Sequence, residues 1–239
     1  MSEWKAKRFW TEVSVVEEER GFAILLDGRP VRTPAKTQVI VPTDALAQEI
    51  AQEWEAQEGE IDPRAMLFTR TANAALDKVT AQREEVIEML AEYGASDLTC
   101  YRASDPEGLV ARQAEAWDPL IEWAADTFDA RLKPTTGVMY AAQDQTALER
   151  LKAPIDRMSV FEIAAFHDLV SLSGSLLIAL ATTRNYAPLD DLWARSRVDE
   201  TWQEEQWGED EEASALAAHK RSEFMHAGRV WHTLSLKKG

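Results

Sequence analysis

One cysteine, Cys100, in 239 residues rules out an intrachain disulfide and suits a reducing compartment. It also removes any thiolate cluster for a metal. The four histidines, His167, His219, His226 and His232, include no His-x-x-x-His pair, and His219 and His226 stand two helical turns apart, too far to share an ion. No metal site is expected. A Gly-x-x-x-x-Gly-Lys phosphate loop and a Gly-x-Gly-x-x-Gly dinucleotide turn are both missing, so no cofactor is expected either. The longest apolar run, Leu176 to Ala181, falls far short of the ~20 residues that cross a bilayer. Positive charge is scarce: 26 Lys and Arg face 42 Asp and Glu, a formal net charge of -16. Such a surface repels phosphate backbones and anionic head groups, which argues against nucleic acid and membrane partners and for a basic or mixed protein surface. The opening Met-Ser-Glu-Trp-Lys-Ala-Lys has no apolar signal core and no Arg/Ser-rich transit stretch, so a cytoplasmic protein is expected.

What is present is ordinary globular composition, 45% apolar and 28% charged, in a chain long enough for a sizeable core. Nine tryptophans exceed what a core requires; most fill it, and a surplus points to contact surfaces. Residues 7–42 read as strands. Phe9, Thr11, Val13 and Val15 alternate with Trp10, Glu12 and Ser14, and Asp27-Gly28 between two apolar runs predicts a tight hairpin turn. Val39-Ile40-Val41 is a further short strand. Thr43 is the predicted N-cap of a helix that places Leu46, Ala47, Ile50, Ala51 and Trp54 on one face until Gly59.

From about residue 65 nearly everything reads as helix. A helix is expected over 80–93, ended by Gly94. Asp105-Pro106 reads as a cap followed by Pro at the first helical position, and Asp118-Pro119 repeats that signature, so a second helix or a kink is expected there. Residues 131–142 read as an ordered loop. Ser159 with Glu162 forms a capping box that opens a long apolar helix to about Thr182, with Ser173-Gly174-Ser175 as small packing residues in its middle. Two more helices are expected at about 189–206 and 210–227. The fold class is α+β: residues 1–64 (the boundary could extend to about 80) form a small antiparallel sheet with a covering helix, and residues 65–239 form an all-α helical bundle.

Catalytic groups are hard to find. Ser173-Gly174-Ser175 lies within a helical pattern, not at the strand-to-helix turn of a nucleophile elbow. Cys100 has Arg102 nearby but no patterned His or Asn partner. The most informative segment runs from Asp199 to Glu212, where eight of fourteen residues are acidic and none is basic. A charge run is usually a solvated face. Here, however, Trp193, Ser196, Glu200, Gln203 and Trp207 step by three and four, which sets them on one helical stripe. Glu200 on that stripe is either paired, with Arg197 one turn back, or offered to an outside cation.

Taken together, several segments resemble the ATP-twelve (ATP12) family of assembly chaperones of the F-type ATP synthase. They are Arg8-Phe9-Trp10, Gly21 to Asp27, Thr33-Pro34, Val41-Pro42 with Ala45-Leu46-Ala47, Glu53-Trp54, Asp97 to Arg102, Pro106-Glu107, Trp117 to Ala124, Ser196 to Glu200, Gln203 and Trp207-Gly208. Their order covers nearly the whole chain. The resemblance implies an N-terminal sheet-containing domain joined to a helical domain, and a non-enzymatic chaperone that binds the free, unassembled alpha subunit and shields its interface until beta displaces it. It implies no small-molecule substrate and, since no targeting extension is seen, a bacterial member in the cytoplasm. The family's functional glutamate corresponds to Glu200, with Asp199 as near alternative and Gln203 and Trp207 beside them. Trp54, Trp117 and Gly208 are expected to be fold-critical. The acidic run after Gly208 is heavier than the family pattern. Two other readings differ in kind: a small-molecule enzyme with an interdomain pocket and Glu200 as acid or base, and an interaction module with another client.

Overall fold

A computed structural model describes residues 7–137 and 139–236; the opening residues read above for a targeting signal lie, up to Ala6, outside that range. The fold is α+β, and the chain divides into two compact units. One comprises residues 1–83, 159–165 and 229–239, the other residues 84–158 and 166–228. Of the six strands assigned among the described residues, four precede Pro42.

In the first unit β1 (Val13–Glu18) pairs antiparallel with β2 (Gly21–Leu26), from Val13 opposite Leu26 to Glu18 opposite Gly21. The other edge of β2 is shared by β3 (Arg29–Pro30) and β4 (Ile40–Val41). The β2–β3 turn is the predicted one: Asp27 (φ 48°) and Gly28 (φ 75°) both adopt left-handed backbone, which matches the strand twist of a tight hairpin. The Asp27 carboxylate accepts hydrogen bonds from the N–H of Glu12 (2.9 Å) and from the N–H and hydroxyl of Thr11 (3.0 Å each). The Glu12 and Thr11 amides hold its pKa below the usual value. That clamp corrects the expected alternation. Thr11 and Glu12 are turned toward Asp27, so the strand begins only at Val13, and Trp10 is buried while Phe9 is 68% exposed.

Helix α1 (Asp44–Glu55) covers the sheet through Leu46, Ala47, Ile50 and Ala51, each fully buried Leu or Ile contributing roughly 1.5–3 kcal/mol. Thr43 caps it as predicted, its hydroxyl accepting from the Leu46 N–H at 3.3 Å; the helix stops four residues before Gly59. The start of α2 (Leu67–Ala74) is capped from α1. The Glu53 carboxylate accepts from the N–H groups of Phe68 (2.6 Å) and Thr69 (2.8 Å) and from the Thr69 hydroxyl. Burial raises the Glu53 pKa against the pull of those three donors.

Later helices depart from the expected bounds in instructive ways. Helix α3 (Arg83–Glu92) starts three residues after Thr80 and passes into a tighter turn over Tyr93–Ser96. Helix α4 (Glu107–Phe128) follows β5 (Tyr101–Arg102) and runs unbroken through Pro119. Neither Asp acts as the expected cap. Pro106 itself takes the capping position, while Asp118 pairs with Arg102 at 2.8 Å. Pro119 leaves the Glu115 carbonyl without its helical donor, and beside it the Arg195 guanidinium donates to the Ala116 carbonyl. Strand β6 (Thr135–Thr136) pairs parallel with β5 inside the segment read as a loop, and α5 (Gln145–Asp156) follows.

The Ser159–Glu162 capping box forms as predicted, with Ser159 N–H to Glu162 Oε2 at 2.7 Å and Glu162 N–H to Ser159 Oγ at 3.3 Å. The helix it opens is not continuous. It breaks at Gly174 into α6 (Val160–Ser173) and α7 (Leu176–Thr183), so Ser173-Gly174-Ser175 is a hinge between helices and not a packing stripe inside one. The pair of helices expected at the end is three: α8 (Leu189–Arg195), α9 (Val198–Trp207) and α10 (Glu211–Ser235). The acidic run acquires a partial role here. Asp210 caps α10 by accepting from the Ala213 N–H at 2.8 Å, and Glu211 and Glu212 sit in the first turn, where the helix dipole favours negative charge.

Candidate functional site

The second unit holds a buried polar knot built on Asp97, which is fully buried. One carboxylate oxygen accepts from the Thr99 N–H (3.0 Å), the Thr99 hydroxyl (2.8 Å) and the Ser175 hydroxyl (2.8 Å); the other accepts from the Leu177 N–H at 3.0 Å. Ser175 in turn accepts from the Ile178 N–H, so a single acidic side chain serves the N-terminus of α7 and the turn that begins at Leu98. Burial pushes the Asp97 carboxyl up while its four donors pull it down. Beside it the buried Cys100 thiol is pushed up to about 12, first by burial and then by the Asp97 charge. A thiol held protonated in this way is a poor nucleophile. Every polar atom of the knot is committed to the fold.

Helix α9 is the opposite case. Trp117, fully buried in α4, donates its indole N–H to the Arg195 carbonyl at 2.7 Å and so fixes the end of α8. Ser196 bonds back to the Trp193 carbonyl, and the chain turns before α9 begins at Val198. The base of α9 is tied to α4 in two places. Gln113, 2% exposed, donates to Asp199 Oδ1 at 2.6 Å and accepts from the Ala103 N–H at 2.8 Å. Trp202 lies over Gly108, where an added Cβ would come within 2.7 Å of the ring, and under the Arg112 guanidinium, which reaches on to Glu205 at 2.8 Å. Gly208 (φ 90°) closes the helix with backbone that other residues rarely adopt, its N–H bonded to the Glu204 carbonyl.

These anchors leave one face of α9 outward. Glu200 contacts Arg197 at 2.6 Å across one turn, Gln203 is exposed, and Trp207 is 79% exposed at the helix end. The pairing of Glu200 with Arg197 is the one anticipated. The stripe is shorter than expected, because the break at Ser196–Arg197 separates Trp193, which is buried against Phe224, from the residues of α9. Glu200 is therefore followed by one tryptophan on its face and not flanked by two.

Residues 7–125 match the family described as ATP12 chaperone protein. The crystal structure of Atp12 from Paracoccus denitrificans is 48% identical to this chain, covers 97% of it and 100% of its own chain, and superposes with a TM-score of 0.94. The chain belongs to the ATP12 family. The Atu1473 protein from Agrobacterium tumefaciens is 40% identical over 95% of this chain and 86% of its own, with a TM-score of 0.90. Among curated proteins, "Protein atp12, mitochondrial" of Schizosaccharomyces pombe is 24% identical over 222 residues, 88% of this chain and 76% of that one. The ATP12 family is a family of chaperones, and members act in assembly of ATP synthase.

Within this ATP12 chain the four sequence-predicted contact residues do not behave alike. Glu200, Gln203 and Trp207 come together on the outer stripe of α9, whereas Asp199 faces inward to Gln113. Trp54 is half-buried and stacks edge-on against Trp10 at 5.1 Å. Sequence reasoning missed Gln113, Arg112, Trp202 and Asp97. For Asp97 a signal was present: Asp97-Leu98-Thr99 is the local pattern in which a carboxylate accepts from its own chain two residues on. No group of three or more His, Cys, Asp or Glu among the described residues is arranged to hold a metal ion, and none of the described helices is long and apolar enough to cross a membrane.

Proposed function

We propose that this ATP12-family chaperone, an assembly factor of ATP synthase, binds the free alpha subunit of the catalytic sector and covers the surface that beta later takes. The observation that carries the reading is the outer stripe of α9, where an exposed Trp207 stands one turn beyond Gln203 and two beyond Glu200. An indole left in water at a helix end is unfavourable for a free protein and well suited to an interface, where a buried Trp anchor contributes about 2–4 kcal/mol. The Glu200–Arg197 pair is a partly exposed i,i+3 contact worth roughly 0.2–0.5 kcal/mol. It is easily exchanged for a cation on the client. Asp199 then has a different role from Glu200: it positions α9 through Gln113.

The cycle requires no cofactor, no nucleotide hydrolysis and no small-molecule substrate. Free alpha exposes apolar surface that would aggregate; the chaperone masks it, and beta displaces the chaperone through a larger, permanent contact. In this reading the protein works in the bacterial cytoplasm, and Trp54, Trp117 and Gly208 act on the fold. Affinity capture from lysate tests it. ATP synthase alpha should be recovered with the wild-type chain and beta should not; recovery of beta alone, or of neither subunit, contradicts the reading.

A further inference from the structure

The first unit carries an open-sided groove of about 640 Å³ between α2 and the chain that links β3 to β4. Its floor is apolar, with Pro34, Ile61 and Met66, and α1 contributes Trp54. The Trp54 ring and Asn73 complete the wall.

Charge narrows the occupant. In a chain with 42 acidic and 26 basic residues, the groove is lined by four basic side chains, Arg32, Lys36, Arg70 and Lys78, and one acid, Asp77. The acid is already engaged, accepting from the Thr33 hydroxyl at 2.7 Å and the Ala35 N–H at 3.1 Å. Neither Lys36 nor Lys78 forms an ion pair among the described residues. A small anion would use the basic rim alone and leave the apolar floor uncovered. A polypeptide segment uses both, with apolar side chains over the floor and carboxylates toward the rim.

We infer that this groove is a second client-binding site, which takes an extended polypeptide segment with apolar residues flanked by carboxylates. It is independent of α9: the groove would hold an unfolded or extended stretch of client while the α9 stripe meets a folded surface. Division of labour of this kind suits a protein that receives its client before assembly.

The indole N–H resonances of the ¹⁵N-labelled full chain provide the test, with Trp54 and Trp207 assigned from Trp54→Phe and Trp207→Phe spectra. Capped hexapeptides with a Leu-Val-Leu centre and Glu at both ends should shift the Trp54 resonance and leave that of Trp207 in place. The same peptides with Lys at the ends, and inorganic phosphate, should shift neither. Lys36→Glu with Lys78→Glu should weaken the acidic peptide at least tenfold with an unchanged circular dichroism spectrum, and Trp54→Phe should weaken it severalfold. The inference is overturned if the Trp54 signal ignores the acidic peptide, follows phosphate alone, or responds equally to both peptides. It is also overturned if that signal moves on raising protein concentration without peptide, which would mark the groove as a self-association surface.

Discussion

Asp97 and Glu200 belong to the same unit and share a chemical type, yet they are set in opposite environments. Asp97 has no exposure, four donors and two helical segments that depend on it. Glu200 has one partner a turn away and partial contact with water. The tryptophans repeat the contrast: Trp117 is sealed in α4 with its N–H satisfied, and Trp207 stands at the end of α9 with most of its ring in solvent. Asp97 and Trp117 have their polar groups satisfied within the fold. The residues we propose for a partner are held only loosely, on an element that is itself anchored elsewhere, here by Asp199, Trp202 and Glu205.

The sharpest way to break this contrast is chemical. Cys100 has no solvent exposure and burial pushes its thiol up to about 12, so alkylation must wait for the fold to open and should be roughly a thousandfold or more slower in the native chain than in urea. A native rate within tenfold of the unfolded one would show that the interior is open. Trp117→Ala comes next, with an expected loss of about 3–5 kcal/mol in urea unfolding from the cavity and the lost bond to Arg195. Asp97→Ala should cost about 3 kcal/mol, because it leaves buried donors unmatched.

Asp97 also sharpens the contrast through pH. Its folded pKa is raised above 3.8, so the folded chain holds that proton more tightly than the unfolded one. The resulting contribution is complete below 3.8 and is lost as pH rises through the folded value. Asp97→Asn should flatten that part of the stability-against-pH curve, which thermal melts across the range would reveal. Asp199→Ala should cost about 1–2 kcal/mol by stranding the buried Gln113 amide. At the small end, Trp207→Ala and Glu200→Lys should each change the stability by no more than about 0.5 kcal/mol. A loss of more than 2 kcal/mol in either would move α9 into the same class as the Asp97 knot.

What the sequence made legible was local. The Asp27-Gly28 turn, the Thr43 cap and the Ser159–Glu162 box each depend on residues within three or four positions, and each formed as read. The failures share a cause in longer-range contacts. Asp118 looked like a cap because its tie to Arg102 could not be seen, and Pro119 looked like the start of a second helix or a kink, whereas α4 runs on through it. The breaks at Gly174 and Ser196 interrupt patterns whose helical periodicity continues across them, so spacing alone joined Trp193 to Glu200. In the candidate site the outward residues were recognised through the family resemblance and the acidic stripe. The inward anchors Gln113 and Arg112 were invisible, since α4 and α9 lie about ninety residues apart and no periodicity links them.

The central claim, that the outer stripe of α9 holds free alpha, is tested most directly by light scattering of purified alpha subunit diluted from denaturant. Wild-type chaperone should suppress the scattering, and Glu200→Lys or Trp207→Ala, with native circular dichroism and unchanged melting, should not. Full suppression by both folded variants would contradict the account.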